Sequence, residues 1–320
     1  MAGLTVLFST FNGAVTLPRM LDALERVEPP RGGWKIVAVD NGSTDGGADL
    51  LRRRAGRLPL TVLTEPRRGK NNGLNAGLAS VEGDLVVFTD DDVVPRPDWL
   101  VRLRQVADEQ RGYDIFGGAI EPIWLEQPPD WVLRAAPKGH FAWTECDDGP
   151  VDPRKVWGPN MAVRRGVLAD HRFSEGIGPD GGAVYAIGLE TEFVVRASRA
   201  GHRCWHAEQA VVGHLIRPGQ LTEAWLLQRS YNHARGERRI RGTAGEDPSR
   251  AFLGYPRSLL RQYARALLGA ATAGMFGDFE HRFAARRRLR ELQGDFDERR
   301  LQLRDRRAPP TRISAETRSA

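Results

Sequence analysis

Three consecutive aspartates, Asp90-Asp91-Asp92, follow the wholly apolar run Leu85-Val86-Val87-Phe88. Adjacent carboxylates repel one another, and a divalent cation relieves that repulsion because Mg2+ and Mn2+ take oxygen ligands. The same triplet also reads as a solvated acidic turn ahead of a helix near Pro97, where negative charge is favourable. A further carboxylate, Asp40, ends the apolar run Trp34–Val39 and opens Asp40-Asn41-Gly42-Ser43-Thr44-Asp45. An aspartate there can accept hydrogen bonds from a nucleobase imide or a ribose hydroxyl while Gly42 allows a tight turn; Ser43 or Asp45 can cap the helix that follows. Glu190 and Glu192 open the helical pattern Leu189–Ala200, either as proton acceptors or as charges stabilising the first turn. His214 follows a β-branched strand, and an imidazole there can be structural or can ligate Mn2+ beside carboxylate and phosphate oxygens. In Trp157-Gly158-Pro159-Asn160-Met161, Trp157 can stack on a sugar ring and Asn160 can offer its amide to a sugar hydroxyl, with Met161 and Val163 buried on the other face of a strand.

These groups act together only if the chain gathers them. Leu4–Phe8, Trp34–Val39, Leu60–Leu63 and Leu85–Phe88 are short apolar runs, separated by helix-like patterns over Ala14–Val27, Asp45–Arg54 and Asn71–Val81. This βαβαβαβ order predicts a parallel sheet with helices on both faces. Ligands then bind beyond the carboxyl ends of the strands, so Thr10, Asn12, Asp40, Lys70 and the aspartate triplet all fall at one edge. None of these segments has the spacing of a dinucleotide fingerprint or a P-loop. From about 110 to 218 the pattern is irregular, with strands predicted over Tyr113–Ile120 and Lys155–Val163 and with Trp124, Trp131 and Trp143 in a Pro-rich insertion. Beyond Leu221 the chain reads as helical.

The motifs occur in a definite order: STFNG at the end of the first strand, VDNGSTD, GKNNGLNAGL, FTDDDVVP, WGPNMAVRR, GLETEF and VVGH. Taken together, over roughly residues 4–240, they make the chain resemble the family 2 glycosyltransferases, inverting nucleotide-sugar enzymes of the GT-A fold. The resemblance implies an α/β fold with a mixed, mostly parallel central sheet flanked by helices and a helical C-terminal extension. It implies that Thr10, Asn12 and Asp40 line the nucleoside pocket and that Lys70 lies near the nucleotide, where many relatives carry arginine. Asp90 and Asp92 match the DxD acids, Asp92 on a divalent metal and Asp90 nearer the ribose, with Asp91 able to substitute for either. Glu190 stands where the family's GEDTEF signature has its catalytic base, although Leu189 replaces the preceding acid. His214 matches an additional metal ligand beside the diphosphate. The donor would be a nucleoside-diphosphate sugar, and the acceptor a hydroxyl, lipid-linked glycans included.

The 320 residues are 41% hydrophobic and 28% charged, ordinary for a globular protein. Lys and Arg number 47 against 41 Asp and Glu, a net charge of +6, and only Lys35, Lys70, Lys138 and Lys155 are lysines. The excess is local. Residues 241–320 hold 17 arginines, no lysine and 10 acidic residues, a net +7, which leaves residues 1–240 at −1. Two cysteines, Cys146 and Cys204, make neither a disulfide framework nor a four-thiolate metal site. The N-terminus does not read as a signal peptide, and no run approaches the ~20 apolar residues of a spanning helix. A cytoplasmic protein, soluble or at the inner face of the membrane, is expected. Over Phe252–Phe276 a helical pattern puts Phe252, Leu259, Leu260, Tyr263 and Leu267 on one side and Arg257, Arg261 and Arg265 on another, either for a membrane interface or for packing on the domain. The expected organisation is a transferase domain over 1–220, a helical region over 221–280 and an arginine-rich helical segment with a polar tail over 281–320. Two other readings compete: a nucleotidyltransferase of similar fold, which lacks an early glycine-rich signature, and a nucleic-acid-binding protein, which lacks a basic groove interleaved with aromatics.

Overall fold

The computed structural model describes residues 3–175, 177–179, 182, 184–242, 251–252 and 255–305. Its first part alternates as the apolar periodicity requires: β1 (Leu4–Thr10), α1 (Leu17–Leu24), β2 (Trp34–Asp40), α2 (Gly47–Arg54), β3 (Leu60–Thr64), α3 (Lys70–Gly77) and β4 (Leu85–Phe88). β1 pairs in parallel with both β2 and β4, and β2 with β3. Register places Thr10 beside Asp40 and Leu7 beside Phe88, so the polar segments after all three strands emerge at the same edge.

The second part folds back onto this unit through β5 (Val93–Pro95), α4 (Trp99–Glu109), β6 (Ile115–Trp124), α5 (Asp130–Ala135), β7 (Gly149–Pro150), β8 (Met161–Arg164), α6 (Arg165–Asp170), α7 (Leu189–Arg199) and β9 (Cys204–Ile216). The sheet runs β3-β2-β1-β4-β8-β6-β9-β5, with β7 paired to β9. β8 is antiparallel to both β4 and β6, and β9 is parallel to β6 but antiparallel to β5. The expected mixed sheet is therefore present, with its parallel half first in the chain. Both faces are covered, as the strict alternation of side chains along a strand demands. Leu4, Val6 and Phe8 of β1 face a core made with Leu17, Leu21, Trp99 and Leu103, whereas Leu7 faces the opposite core with Leu74, Val167 and Phe193.

Two expected elements differ. The strand predicted over Lys155–Val163 starts only at Met161, because two short 3-10 turns, one opened by Pro153 and one with Pro159 at its centre, precede it, and neither proline has an N–H for a ladder. The helical pattern over Phe252–Phe276 starts later. Phe252 lies in β10 (Ala251–Phe252), paired with Tyr255 in β11 (Tyr255–Pro256), and α9 (Arg257–Phe276) begins after Pro256.

The C-terminal helices α8 (Glu223–Arg241), α9 and α10 (Phe279–Asp305) pack on one another. Buried Glu298 of α10 accepts a 3.0 Å hydrogen bond from Nε of Arg235 and a second from Nε of Arg239, both on α8. Residues 306–320, the expected polar tail, lie outside the described residues. An apolar cluster of Val132, Phe141, Ile216, Leu221, Leu226 and Phe283 fastens this helical layer to α5 and to the end of β9. Beside it, buried His140 meets Ser230 Oγ through Nε2 at 2.8 Å and stacks on His233 with ring centroids 6.1 Å apart. Burial, then His233, Arg229 and Arg287, push His140 down to about 2, and burial and Arg229 also lower His233. Both imidazoles are thus neutral in the folded protein and protonate on unfolding near their ordinary value of about 6.5.

Because the unfolded chain binds protons that the folded one refuses, stability falls as pH drops below about 6.5, by up to about 1.4 kcal/mol per pH unit for each such histidine. Thermal melts at a series of pH values should show this decline, and His140→Gln should make the curve shallower between pH 6.5 and 5.

Candidate active site

The carboxyl edge of the parallel strands supplies the first components. Thr10, the last residue of β1, donates a short hydrogen bond from its hydroxyl to Oδ2 of Asp91. Gly13 lies against this pair, and a Cβ there would collide with both side chains. Asn12 takes a left-handed φ of 54° and accepts from the Thr44 N–H at 2.9 Å, while its own N–H donates to Ser43 Oγ at 3.1 Å. Those bonds lock the loop after β1 to the loop after β2. Asp40 is buried at the end of β2, with Oδ1 accepting from the Ser43 N–H at 3.1 Å. Asn41, which sequence reading passed over, shapes the next loop: its amide donates to the carbonyls of Glu65 and Arg67 at 2.8 and 2.7 Å and accepts from Gly69 N–H at 2.9 Å. That clamp sets Lys70 at the start of α3.

Lys70 is the centre of the site. Its ammonium donates to Oδ1 of Asp90 in a short contact and to Oε1 of Glu190 at 2.7 Å. Burial alone would depress the lysine, but the charges of Asp90 and Glu190 outweigh it and hold the ammonium well above its ordinary range. One cation thus bridges the end of β4 to the N-terminus of α7. Gly188 precedes α7 with φ of 106°, a conformation that disfavours side chains, and sets the direction from which Glu190 enters. Gly158 lies directly against the Glu190 carboxylate, and a Cβ at that position would overlap it. Glu192 is otherwise employed: it accepts from Ser174 Oγ at 2.9 Å and from Arg196 Nε at 2.8 Å, which ties α7 to the preceding segment. Of the two glutamates, Glu190 alone joins the aspartates.

The aspartates themselves diverge. Burial raises Asp90, against the opposing pull of Lys70. Burial and the neighbouring Asp92 carboxylate push Asp91 up to about 7. Burial would raise Asp92 too, but His214 above all, with Arg217 and Lys70, brings it below the usual carboxylate value. His214 Nδ1 is 2.8 Å from the Phe141 carbonyl, which can only accept, so Nδ1 carries the proton and Nε2 faces Asp92 Oδ1 at 3.5 Å. Burial would lower this imidazole, yet Asp92 and the Phe141 carbonyl hold it above its ordinary value.

Asn160 and Trp157 do not join this constellation. Asn160 has 0% exposure; its amide nitrogen donates to the carbonyls of Ala119 and Ala210, both at 2.8 Å, and its oxygen accepts from Trp99 Nε1 at 2.8 Å. The side chain stitches β6, β9 and α4 together where the β6–β9 register shifts between Gly118 and Ala119, so no amide group remains for a sugar. Trp157 is half-buried against the core, with Nε1 donating to the Arg154 carbonyl at 3.0 Å. The Asn160 amide is thus committed to structural bonds, and the pull is the need to satisfy polar groups inside an interrupted sheet.

Residues 5–150 match the family described as Glycosyl transferase family 2. These residues form a family 2 glycosyltransferase domain. Among relatives of this glycosyltransferase, the undecaprenyl-phosphate 4-deoxy-4-formamido-L-arabinose transferase of Serratia proteamaculans is 33% identical over 139 residues, which are 41% of this chain and 40% of that protein. The alignment therefore reaches less than half of the relative's length. Glycosyltransferase AglE of Haloferax volcanii is 24% identical over 240 residues, 70% of this chain and 75% of AglE. Among solved structures, a Pyrobaculum calidifontis mannosyltransferase in complex with GDP-Man and Mn2+ superposes with a TM-score of 0.60 at 21% identity, covering 92% of this chain and 87% of that one. This likeness is one of fold, and the fold is GT-A.

If Asn160 is structural, Asn160→Ala should leave nucleotide affinity unchanged while lowering stability by about 2 kcal/mol or more, because it orphans an indole N–H and two carbonyls. Denaturant titration alongside nucleotide binding separates the two effects.

Proposed function

We propose that this glycosyltransferase moves a sugar from a nucleoside-diphosphate donor to a hydroxyl acceptor by a single inverting displacement, in the synthesis of a polysaccharide or another glycoconjugate. The observation that carries the reading is the Lys70 bridge, which holds Glu190 and the β4 aspartates on one buried ammonium. A donor site and a proton acceptor are thereby kept within one side chain of each other. The name of the Serratia relative, which specifies undecaprenyl phosphate, supports a lipid-linked acceptor, and the GDP-Man bound to the Pyrobaculum enzyme supports a nucleotide-sugar donor. Such an enzyme works from the cytoplasmic side, at the inner surface of the membrane.

The side chains suit a divalent cation. Asp90, Asp91, Asp92 and Glu190 place four acidic groups around Lys70 as the one lysine, and His214 turns Nε2 toward Asp92 with its other nitrogen fixed by a carbonyl. That second bond is how ligating imidazoles are commonly oriented. Among the described residues no three acidic, imidazole or thiol groups form a ready ligand set, so Asp92 and His214 would share the ion with donor oxygens and water. Mn2+ or Mg2+ held there would neutralise charge on the departing nucleoside diphosphate.

The chain's own groups supply the rest. Asp40 and Thr10 bound the nucleoside end, and the Asn12 cross-link holds their loops in register. Asp90 orients the ribose side of the donor, and Asp91, braced by Thr10, keeps the triplet's backbone in place. Glu190 takes the proton of the acceptor hydroxyl as that oxygen attacks, on the face of the anomeric carbon opposite the leaving group. One base and one leaving group on opposite faces give inversion. Lys70 holds Glu190 in position for this transfer.

Glu190→Gln should bind donor normally and lose transfer by about 10²–10⁴-fold, the usual contribution of a positioned base. Asp92→Asn should weaken Mn2+-dependent donor binding in calorimetric titration. A screen of GDP and UDP sugars that follows nucleoside diphosphate release identifies the donor, and undiminished turnover in Glu190→Gln would refute the base assignment.

A further inference from the structure

α9 spans 20 residues, yet Leu259 is the one described side chain on it that is buried. The sequence pattern had grouped Leu259, Leu260, Tyr263 and Leu267 as a single apolar side. In the fold that side divides. Leu259 turns into the protein, and Tyr263 packs on Phe296 of α10 with centroids 5.0 Å apart. The outward face is a different one: Leu260, Ala264, Leu267, Leu268, Ala271 and Met275 share an arc of about 100° at 3.6 residues per turn. All are exposed or half-exposed, Leu268 at 67% and Met275 at 68%. A solvent-facing stripe that stays apolar for about four turns contradicts the usual arrangement, in which that side is polar.

The apolar surface continues past the end of α9. Phe276 is 85% exposed, Phe279 at the start of α10 is 38% exposed, and Leu133 of α5 is 51% exposed. Trp131 of α5 packs on Phe279 and Phe283, with centroids 4.9 and 5.2 Å away, and Arg134 pairs with Glu280 at 2.7 Å, so these three elements form one corner. Charge marks the occupant. α9 contains Arg257, Arg261 and Arg265 and no acidic residue; Arg257 falls within the apolar arc at its N-terminal end, and Arg261 and Arg265 lie just beyond one edge of it. Among the described residues no helix is long and apolar enough to cross a membrane, so α9 would meet a bilayer along its surface.

We propose that the outward face of α9, with the corner formed by Met275, Phe276, Phe279 and Leu133, docks this glycosyltransferase on an anionic lipid bilayer. The apolar arc enters the boundary between headgroups and acyl chains, and the arginine edge meets lipid phosphates. The corner is coupled to the transferase site. Phe283 beneath it belongs to the same apolar cluster as Phe141, whose carbonyl fixes His214. Docking therefore holds the site at a set height and orientation over the surface. The use of this dock to meet a lipid-linked acceptor rests on the function proposed above; the docking itself does not.

The test is flotation of the full chain with vesicles of phosphatidylcholine alone and of phosphatidylcholine mixed with phosphatidylglycerol. The chain should float with the anionic vesicles. Leu268→Asp combined with Met275→Asp should lower partitioning at least about tenfold, since it sends two charges into the apolar arc. Neutralising Arg257, Arg261 and Arg265 to Gln should lower it about fivefold per residue, the fold-change that corresponds to about 1 kcal/mol each. These positions are exposed, so thermal melts and vesicle-free nucleoside diphosphate release should match the unaltered chain. No flotation with anionic vesicles, flotation unaffected by the substitutions, or a wild-type dimer in solution that Leu268→Asp and Met275→Asp dissociate would each overturn the proposal, the last by making a second copy the occupant. Flotation needs neither donor nor metal, so its failure leaves the transferase reading intact, and an inactive site leaves the docking intact.

Discussion

A lysine buried between two carboxylates is a costly arrangement unless all three groups remain charged and in contact. Lys70 meets that condition by bonding Asp90 on one side and Glu190 on the other, and much of the local architecture follows from having to keep it so. The Asn41 clamp delivers the start of α3, and Gly188 sets the entry of α7. Gly158 leaves room for the Glu190 carboxylate, and its 3-10 turn is held to the end of β4 by Thr89, whose hydroxyl donates to the Pro159 carbonyl at 2.9 Å. Three segments far apart in the chain are thus drawn to one ammonium. Removing Lys70 would leave two desolvated carboxylates without their cation, whereas removing either carboxylate leaves the ammonium still paired with the other, which makes the bridge more a device of geometry than of net stability.

The sheet explains why this edge, and no other, bears the chemistry. β1, β2 and β4 are parallel and in register, so their polar continuations emerge side by side. β8, β6 and β9 then extend the layer in mixed directions and contribute the turn beneath Glu190 and the strand that carries His214. The two cores on either side leave these strands no freedom to shift, because a slip of one residue would turn every side chain of β1 toward the wrong core.

The parallel half was legible in the amino-acid sequence because each strand is a bare apolar run bounded by polar turns, and the motif order brought the aspartates, Lys70, Glu190 and His214 into one argument. Local pattern could not decide between Glu190 and Glu192. What separates them is an ion pair with Lys70 120 residues away and another with Arg196, four residues on along α7. The internal role of Asn160 was hidden for a related reason. A polar residue beside a Gly-Pro turn looks available, and only the three-dimensional pairing with Ala119, Ala210 and Trp99 reveals an internal bond. The direction of α9 was equally hidden. An amphipathic period gives the stripe, but which stripe faces inward depends on the aromatic side chains of α10, and Tyr263 settled there.

The bond from His214 to the Phe141 carbonyl has a consequence for how such enzymes diversify. Phe141 belongs to the Trp- and Pro-rich stretch between β6 and β8, the part of the chain with the least regular structure and the greatest latitude for change. A substitution there that moved one carbonyl would re-aim the imidazole without touching any acidic residue of the site. Change in this stretch is therefore transmitted to the side of the site where His214 faces Asp92, and the loop and the imidazole would vary as a linked pair.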